Sequence, residues 1–313
     1  MTALYTLEEI LDATHGCLVL RGGDQLPAGS RLTWILDEVG PGDWFVAMSY
    51  GGEDSHDYIE SAFDRGARGC IVEGSRASVA SLDRTKSIIS VADTKIALWQ
   101  LASFWRRRVA PNVVAVTGSV GRKETIAFLE FLVRKQFRCH VAVDSGALGP
   151  LPGLFSMMAD TELLIVEASG ADRGEVARTA SFTEPDLAVI TAAHHPLPSP
   201  ERNARAAALY CEILEALSID SLASPVFEKL AVINDRNPVL KARAEAILWQ
   251  SSSHGKNAGL SWLSEANGVS PAAEQVEVSA WCAVTAATCL GLSVKEMPHI
   301  VSELIVKAGS YRA

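Results

Sequence analysis

The sequence holds no Cys-x-x-Cys pair, no apolar run long enough to cross a bilayer, no internal repeat and no long low-complexity tract. Its six cysteines (Cys17, Cys70, Cys139, Cys211, Cys282, Cys289) are scattered, most of them in apolar runs where cysteine serves as a small core residue, and this usage fits reduced thiols in a cytoplasm. A membrane helix needs roughly 18 to 20 consecutive apolar residues, and none occurs. The N-terminus, Met1-Thr2-Ala3-Leu4-Tyr5-Thr6, lacks the basic region and apolar core of a secretory signal. Positive charge is also short: 28 Lys+Arg against 37 Asp+Glu leave a formal net charge of -9, which argues against a generic binder of nucleic-acid backbone. No Ser-His-Asp or Cys-His arrangement emerges from spacing. The expectation is a cytoplasmic protein whose partner is a small molecule or a protein, a second copy or a partner subunit included, rather than nucleic acid or membrane.

What is present is a globular composition, 48% hydrophobic and 21% charged over 313 residues. A single core usually stops growing at about 250 to 300 residues, so two domains are expected, over 1–92 and 93–313. The first reads as a small α/β unit. Thr6 with Glu9 makes a capping box, Pro41-Gly42 turns into a strand over 44–48, a helical pattern over 57–65 ends at Gly66, and 69–72 is the next strand. An amphipathic helix over 95–108 follows, with cationic Arg106, Arg107 and Arg108 at the negative end of its dipole. From 112 onward strands near 112–117, 139–143, 162–167, 186–191 and 229–233 alternate with helices. Their short, continuous apolar runs suit strands covered on both faces, which predicts a doubly wound, mostly parallel sheet. Two helices, over 276–290 and 294–306, close the chain.

The segment 112–125 carries the most chemistry. An apolar run ends in a turn with Gly118 and Gly121, and a helical pattern starts at once, the arrangement in which backbone N–H groups and a helix dipole meet an anion. Candidate nucleotide or anion contacts are Gly118, Ser119, Gly121, Arg122, Lys123 and Thr125. A working phosphate loop also carries a lysine for the β/γ-phosphates and a hydroxyl for magnesium, and those two places hold Arg122 and Lys123. The alternative is a tight turn that holds no ligand. Glu167 and His195 are the candidate metal ligands; the competing readings are a solvated strand-end acid and a loop histidine beside Pro196 and Pro198. His56 and Asp57 are read as positioning and capping a helix start, with substrate contact as the second reading. Trp99, Trp105 and Trp281 are read as core or interface aromatics rather than a stacking platform, and the basic clusters 106–108 and Arg134, Lys135, Arg138 as solvated helix ends.

Taken together, the chain resembles the Mur ligases over about residues 1–308. The resemblance rests on Pro41-Gly42-Asp43-Trp44-Phe45-Val46-Ala47 with Asp54-Ser55-His56-Asp57-Tyr58-Ile59, and on Val116-Thr117-Gly118-Ser119 with Gly121. It continues through Val166-Glu167, Gly174-Glu175-Val176, Glu212-Ile213 and Asn234-Asp235. It implies ATP and magnesium as cofactors, transfer of the γ-phosphate to a substrate carboxylate, and attack by an incoming amine on the acyl phosphate.

The sequence departs from that pattern at the places that carry the chemistry. Arg122 stands at the loop lysine and Lys123 at the metal-coordinating hydroxyl. Ser145-Gly146-Ala147 replaces an asparagine-bearing loop, Tyr210 falls at a carbamoylated lysine, and Leu36-Asp37 falls at a uridine-contacting Ser-Arg pair. The family's third domain is expected to begin near 307–312 and so to be absent. Sequence alone therefore points to a Mur-ligase-like protein with eroded ATP and metal sites that acts by binding. The alternative is an atypical ATP-dependent acid–amino acid ligase completed by a partner subunit.

Overall fold

The computed structural model describes residues 3–22, 29–50, 52–74, 85–193, 199–217, 230–253, 259–262, 275–292 and 297–311. The chain forms two compact units, Met1–Val109 with Leu151–Ala159, and Ala110–Pro150 with Asp160–Ala313. The expected boundary at 92/93 therefore moves to 109/110. The long helix after residue 93 packs with the first unit because its apolar face, including Leu98, Leu101 and Trp105, is buried there.

In the first unit, α1 (Leu7–Thr14) starts in a complete capping box: Glu9 N–H donates to Thr6 Oγ1 (3.1 Å) and Thr6 N–H to the Glu9 carboxylate (2.8 Å). Then come β1 (Cys17–Leu20), β2 (Leu32–Thr33), β3 (Trp44–Val46), β4 (Ser49–Tyr50), β5 (Glu53–Asp54), α2 (Ile59–Asp64), β6 (Gly69–Glu73), β7 (Ser87–Val91) and α3 (Thr94–Val109). The main sheet has the order β1-β7-β6-β3-β2, parallel except for β1 against β7. The Pro41-Gly42-Asp43 signature is a structural turn. Asp43 accepts two bonds from the Arg31 guanidinium (3.1 and 2.6 Å) and one from Gly40 N–H (3.0 Å), locking the entry into β3. The Tyr5 hydroxyl donates to the Leu101 carbonyl (2.9 Å) and Trp105 Nε1 to that of Met157 (3.0 Å), fastening α3 inside this unit. Arg108, read from sequence as a solvated helix end, pairs with Glu9 and lies 4.5 Å from the Trp105 ring centroid.

The second unit opens with β8 (Asn112–Thr117), α4 (Arg122–Val133) and β9 (Cys139–Ala142). After α5 (Leu151–Ser156), which belongs to the first unit, it continues with β10 (Leu163–Glu167), α6 (Glu175–Thr183), β11 (Leu187–Ile190), α7 (Pro200–Leu217), β12 (Leu230–Ile233), α8 (Pro238–Ser253), β13 (Gly259–Trp262), α9 (Gln275–Cys289) and α10 (Met297–Tyr311). Among the described residues its sheet is wholly parallel, in the order β13-β12-β11-β8-β10-β9. Val113 to Val116, Leu163 to Val166 and Leu187 to Ile190 are all buried, as strands covered on both faces must be. Helices α4, α9 and α10 pack on one face through Phe128, Leu129, Trp281 and Leu304. Because the chain crosses from β10 to β11 on opposite sides of β8, the C-terminal end of β8 is the topological switch point, where a doubly wound sheet opens a crevice. The architecture is the expected one, a mixed α/β chain with a doubly wound parallel-sheet domain.

Burial pushes the thiols of Cys211 and Cys282 up to about 12. An unfolded thiol titrates near about 8.5, so these groups hold their protons in the folded chain after the unfolded chain has lost them. Their contribution to stability is complete below that unfolded value and is lost as pH rises toward the folded one. Urea unfolding across that range should show a falling midpoint, and Cys282→Ala should flatten the fall; an unchanged slope would contradict the assignment.

Candidate functional site

The site is built where β8 ends. Gly118 has φ +138° and Gly121 has φ +80°, conformations that L side chains rarely adopt. Each glycine is also required by space. A Cβ on Gly118 would lie 2.3 Å from Thr191 Oγ1, and one on Gly121 would lie 2.4 Å from Gln275 Nε2 and 2.6 Å from Ser279 Oγ. The loop is pinned to the neighbouring strand ends: Thr191 Oγ1 donates to the Val120 carbonyl (2.6 Å), Thr117 Oγ1 to the Ala168 carbonyl (2.6 Å), and Ser119 N–H to the Ala192 carbonyl (3.0 Å). No side chain caps α4, which starts directly from Gly121.

Arg122, the first residue of α4, turns back over the loop. Its Nε donates to Glu167 Oε1 (2.8 Å), and an Nη donates to the carbonyl of Gly118. Glu167, the last residue of β10, is fully buried, and its other oxygen accepts from Asp144 N–H (3.1 Å). The reading of Glu167 as a solvated strand-end acid is therefore corrected. Parallel pairing sets Glu167 opposite Val116 of β8, two residues before Gly118, so an acid there faces the loop instead of water. Asp144 also joins the two loops, accepting from the Ser169 hydroxyl and from Gly146 N–H (2.9 Å).

The remaining sequence candidates fall in different places. Lys123 is exposed in the first turn of α4. Thr125 is fully buried, and its hydroxyl donates to the Ser279 carbonyl (3.3 Å), so it serves the packing of α4 on α9. His195 lies outside the described residues. His56 and Asp57 belong to the first unit. The cap there is Asp54, which accepts from His56 N–H (3.1 Å), while Asp57 is exposed; the capping role given to Asp57 is corrected. Asp54 wins because it stands immediately before the helical turn, where a carboxylate reaches the second N–H. The buried His56 ring accepts from Glu73 N–H at Nε2 (3.1 Å), which places its proton on Nδ1, 2.6 Å from Asp54 Oδ1. Among the described residues no three His, Cys, Asp or Glu side chains cluster as a metal site.

Two features escaped the sequence reading. Glu212 on α7 caps α6, accepting from Gly174 N–H (3.0 Å to each oxygen) and Ala177 N–H (3.3 Å). Beside the loop, an open cleft of about 1570 Å³ is lined by Ser119, Val120, Tyr210 and four arginines, Arg173, Arg202, Arg205 and Arg243. The available signal was spacing, since Arg202 and Arg205 are three apart and share a helix face. Tyr210 is buried, which raises its hydroxyl above the ordinary value, and Arg122 is near enough to oppose that shift.

A strand, glycine loop and helix at the switch point of a doubly wound sheet define an α/β domain of the phosphate-loop type. No model of a known protein family matches the chain. Its curated relatives are UDP-N-acetylmuramoyl-tripeptide–D-alanyl-D-alanine ligases. The chain is 34% identical to that of Rickettsia prowazekii over 155 residues, which is 49% of this chain and 33% of the relative. It is 28% identical to that of Synechocystis over 214 residues, or 67% of this chain and 44% of the relative. The matches thus span less than half of those relatives' length. In fold, the chain is similar to MurF from Acinetobacter baumannii, with a TM-score of 0.75 at 19% identity, covering 96% of this chain and 67% of that one. MurF ligase from Thermotoga maritima, solved in complex with ADP, gives a TM-score of 0.59 at 24% identity, covering 74% and 50%. The chain is thus similar in sequence to these ligases over part of its length and has the fold of the Mur ligases.

Removing the arginine would leave Glu167 charged and buried without its partner, which costs about 3–5 kcal/mol. Arg122→Ala should lose about that much unfolding free energy, whereas Arg122→Met combined with Glu167→Leu should restore most of it, as read by denaturant titration. Equal losses in both variants would contradict the pairing.

Proposed function

We propose that this protein is a Mur-ligase-like binding protein that does not turn over ATP. The observation that carries the reading is the ion pair between Arg122 and Glu167 at 2.8 Å, made across the loop that would cradle a nucleotide's phosphates. Both oxygens of Glu167 are already engaged, one by Arg122 and the other by Asp144 N–H, and a magnesium ion at this carboxylate would be set against the guanidinium beside it. The Thr125 hydroxyl is fully buried and turned toward the Ser279 carbonyl of α9, and Lys123 would set an ammonium beside any divalent cation. The residues present therefore do not fit magnesium–ATP, and no step of phosphoryl transfer is derived through it. Tyr210, at the place the resemblance gives to a carbamoylated lysine, forms no carbamate. The carbonyl of Gly118 and the carboxylate of Glu167 together satisfy Arg122, so the turn is held without any bound phosphate.

A second reading, an atypical ATP-dependent carboxylate–amine ligase completed by another polypeptide, is favoured by one fact: the relatives are named as ligases. It requires Arg122 to leave Glu167 for the phosphates and Lys123 to add charge neutralisation.

Calorimetric titration with ATP, run in magnesium and again in EDTA, separates the two. The binding-protein reading expects no magnesium-dependent gain in affinity and no ATP-dependent phosphate release. Magnesium-dependent binding, with phosphate release that Arg122→Ala abolishes, would overturn it.

A further inference from the structure

Many of this protein's arginines pair with acids, while others, Arg134 on the Phe131 ring and Arg178 on α6 among them, show no acidic partner among the described residues. Arg21, Arg31, Arg65, Arg108, Arg122 and Arg138 each pair with an acidic side chain, as expected in a chain with a formal net charge of -9. Arg173, Arg202 and Arg205 have no acidic partner among the described residues, and all three line the same cleft. Arg202 and Arg205 stand one turn apart on α7, on the face that continues to Leu209 and Tyr210, and Arg173 approaches from the loop between β10 and α6. Arg243 on α8 adds a fourth guanidinium, 3.8 Å from Glu215. The only acid lining the cleft, among the described residues, is Asp172. Guanidinium forks lining one open cleft offer the planar, multidentate donors that suit carboxylate and phosphate oxygens. Like charges gathered on one surface repel one another, and an anion relieves that repulsion.

We propose that this cleft is a metal-independent site for a multiply charged oxyanion, carboxylate or phosphate, held by Arg173, Arg202 and Arg205. The proposal deepens the binding-protein reading and rests on it in one respect, that the neighbouring loop is closed to magnesium. Three arginines would supply the positive charge that a divalent cation supplies elsewhere, so the ligand needs no metal to be neutralised. The buried Tyr210 lines the same cleft.

The test is calorimetric titration of the full chain with inorganic pyrophosphate and, separately, with the tricarboxylate tricarballylate, in EDTA and in magnesium. Saturable binding of at least one probe in EDTA is expected, and the probe that binds more tightly identifies the oxyanion class. Arg202→Gln and Arg205→Gln should each weaken it about tenfold or more, the usual effect of losing a charge-assisted bond. Lys135→Gln, which removes an exposed charge on the turn after α4 and outside the cleft, should leave it unchanged. The arginine positions are exposed, and circular dichroism should show each variant folded. Absence of saturable binding by both probes, in EDTA and in magnesium, would overturn this inference and leave the closed-loop reading standing. Equal weakening by Lys135→Gln would also overturn it, reducing the effect to net charge. Binding seen only with magnesium would overturn both.

Discussion

The arrangement at the end of β8 depends on one buried ion pair. Glu167 carries a full negative charge into a place with no solvent exposure, and only a partner held at hydrogen-bonding distance makes that tolerable. Arg122 is that partner, and it is held by the geometry it supports. The left-handed Gly121 starts α4 in the direction that brings the first side chain back across the loop, and the positive φ of Gly118 turns that loop's carbonyl toward the guanidinium. The planar fork is what permits this. It donates to a carboxylate and a carbonyl at once, which a lysine at the same position would do only as a point charge.

That pair also gives the differences from the ligases a common physical sense. A phosphate loop is an arrangement of donors awaiting an anion, and here the internal charge is satisfied from within the fold. Arg122 neutralises Glu167, and Thr125 is used in packing α4 on α9. Charge available to an external ligand lies one step away, on the face of α7 and in the loop before α6.

Much of the fold was legible from sequence because parallel strands covered on both faces must be continuous apolar runs, and residues 113–116, 163–166 and 187–190 are such runs. The capping box at Thr6 and Glu9 was legible because both partners are local. The glycine loop was legible from its two glycines, although the reason each is obligatory, close approach of Thr191 and of α9, is tertiary. Three features were not legible. The edge strand β13, Gly-Leu-Ser-Trp, lacks the apolar continuity of its neighbours. The fate of Glu167 turned on the register of β10 against β8, which sets residues 45 positions apart side by side. The arginine cleft draws on two helices and a loop, whose residues only the tertiary fold brings together. The domain boundary was misjudged because periodicity shows that a helix is amphipathic but not which core receives its apolar face.

The account stands or falls on whether Arg122 keeps Glu167 when a nucleotide is offered. A crystal structure grown in ATP and magnesium measures this directly. The account predicts that the Arg122 guanidinium remains on the Glu167 carboxylate and the Gly118 carbonyl, with no metal at Glu167. A magnesium ion coordinated by Glu167, with Arg122 swung onto the phosphates, would contradict it.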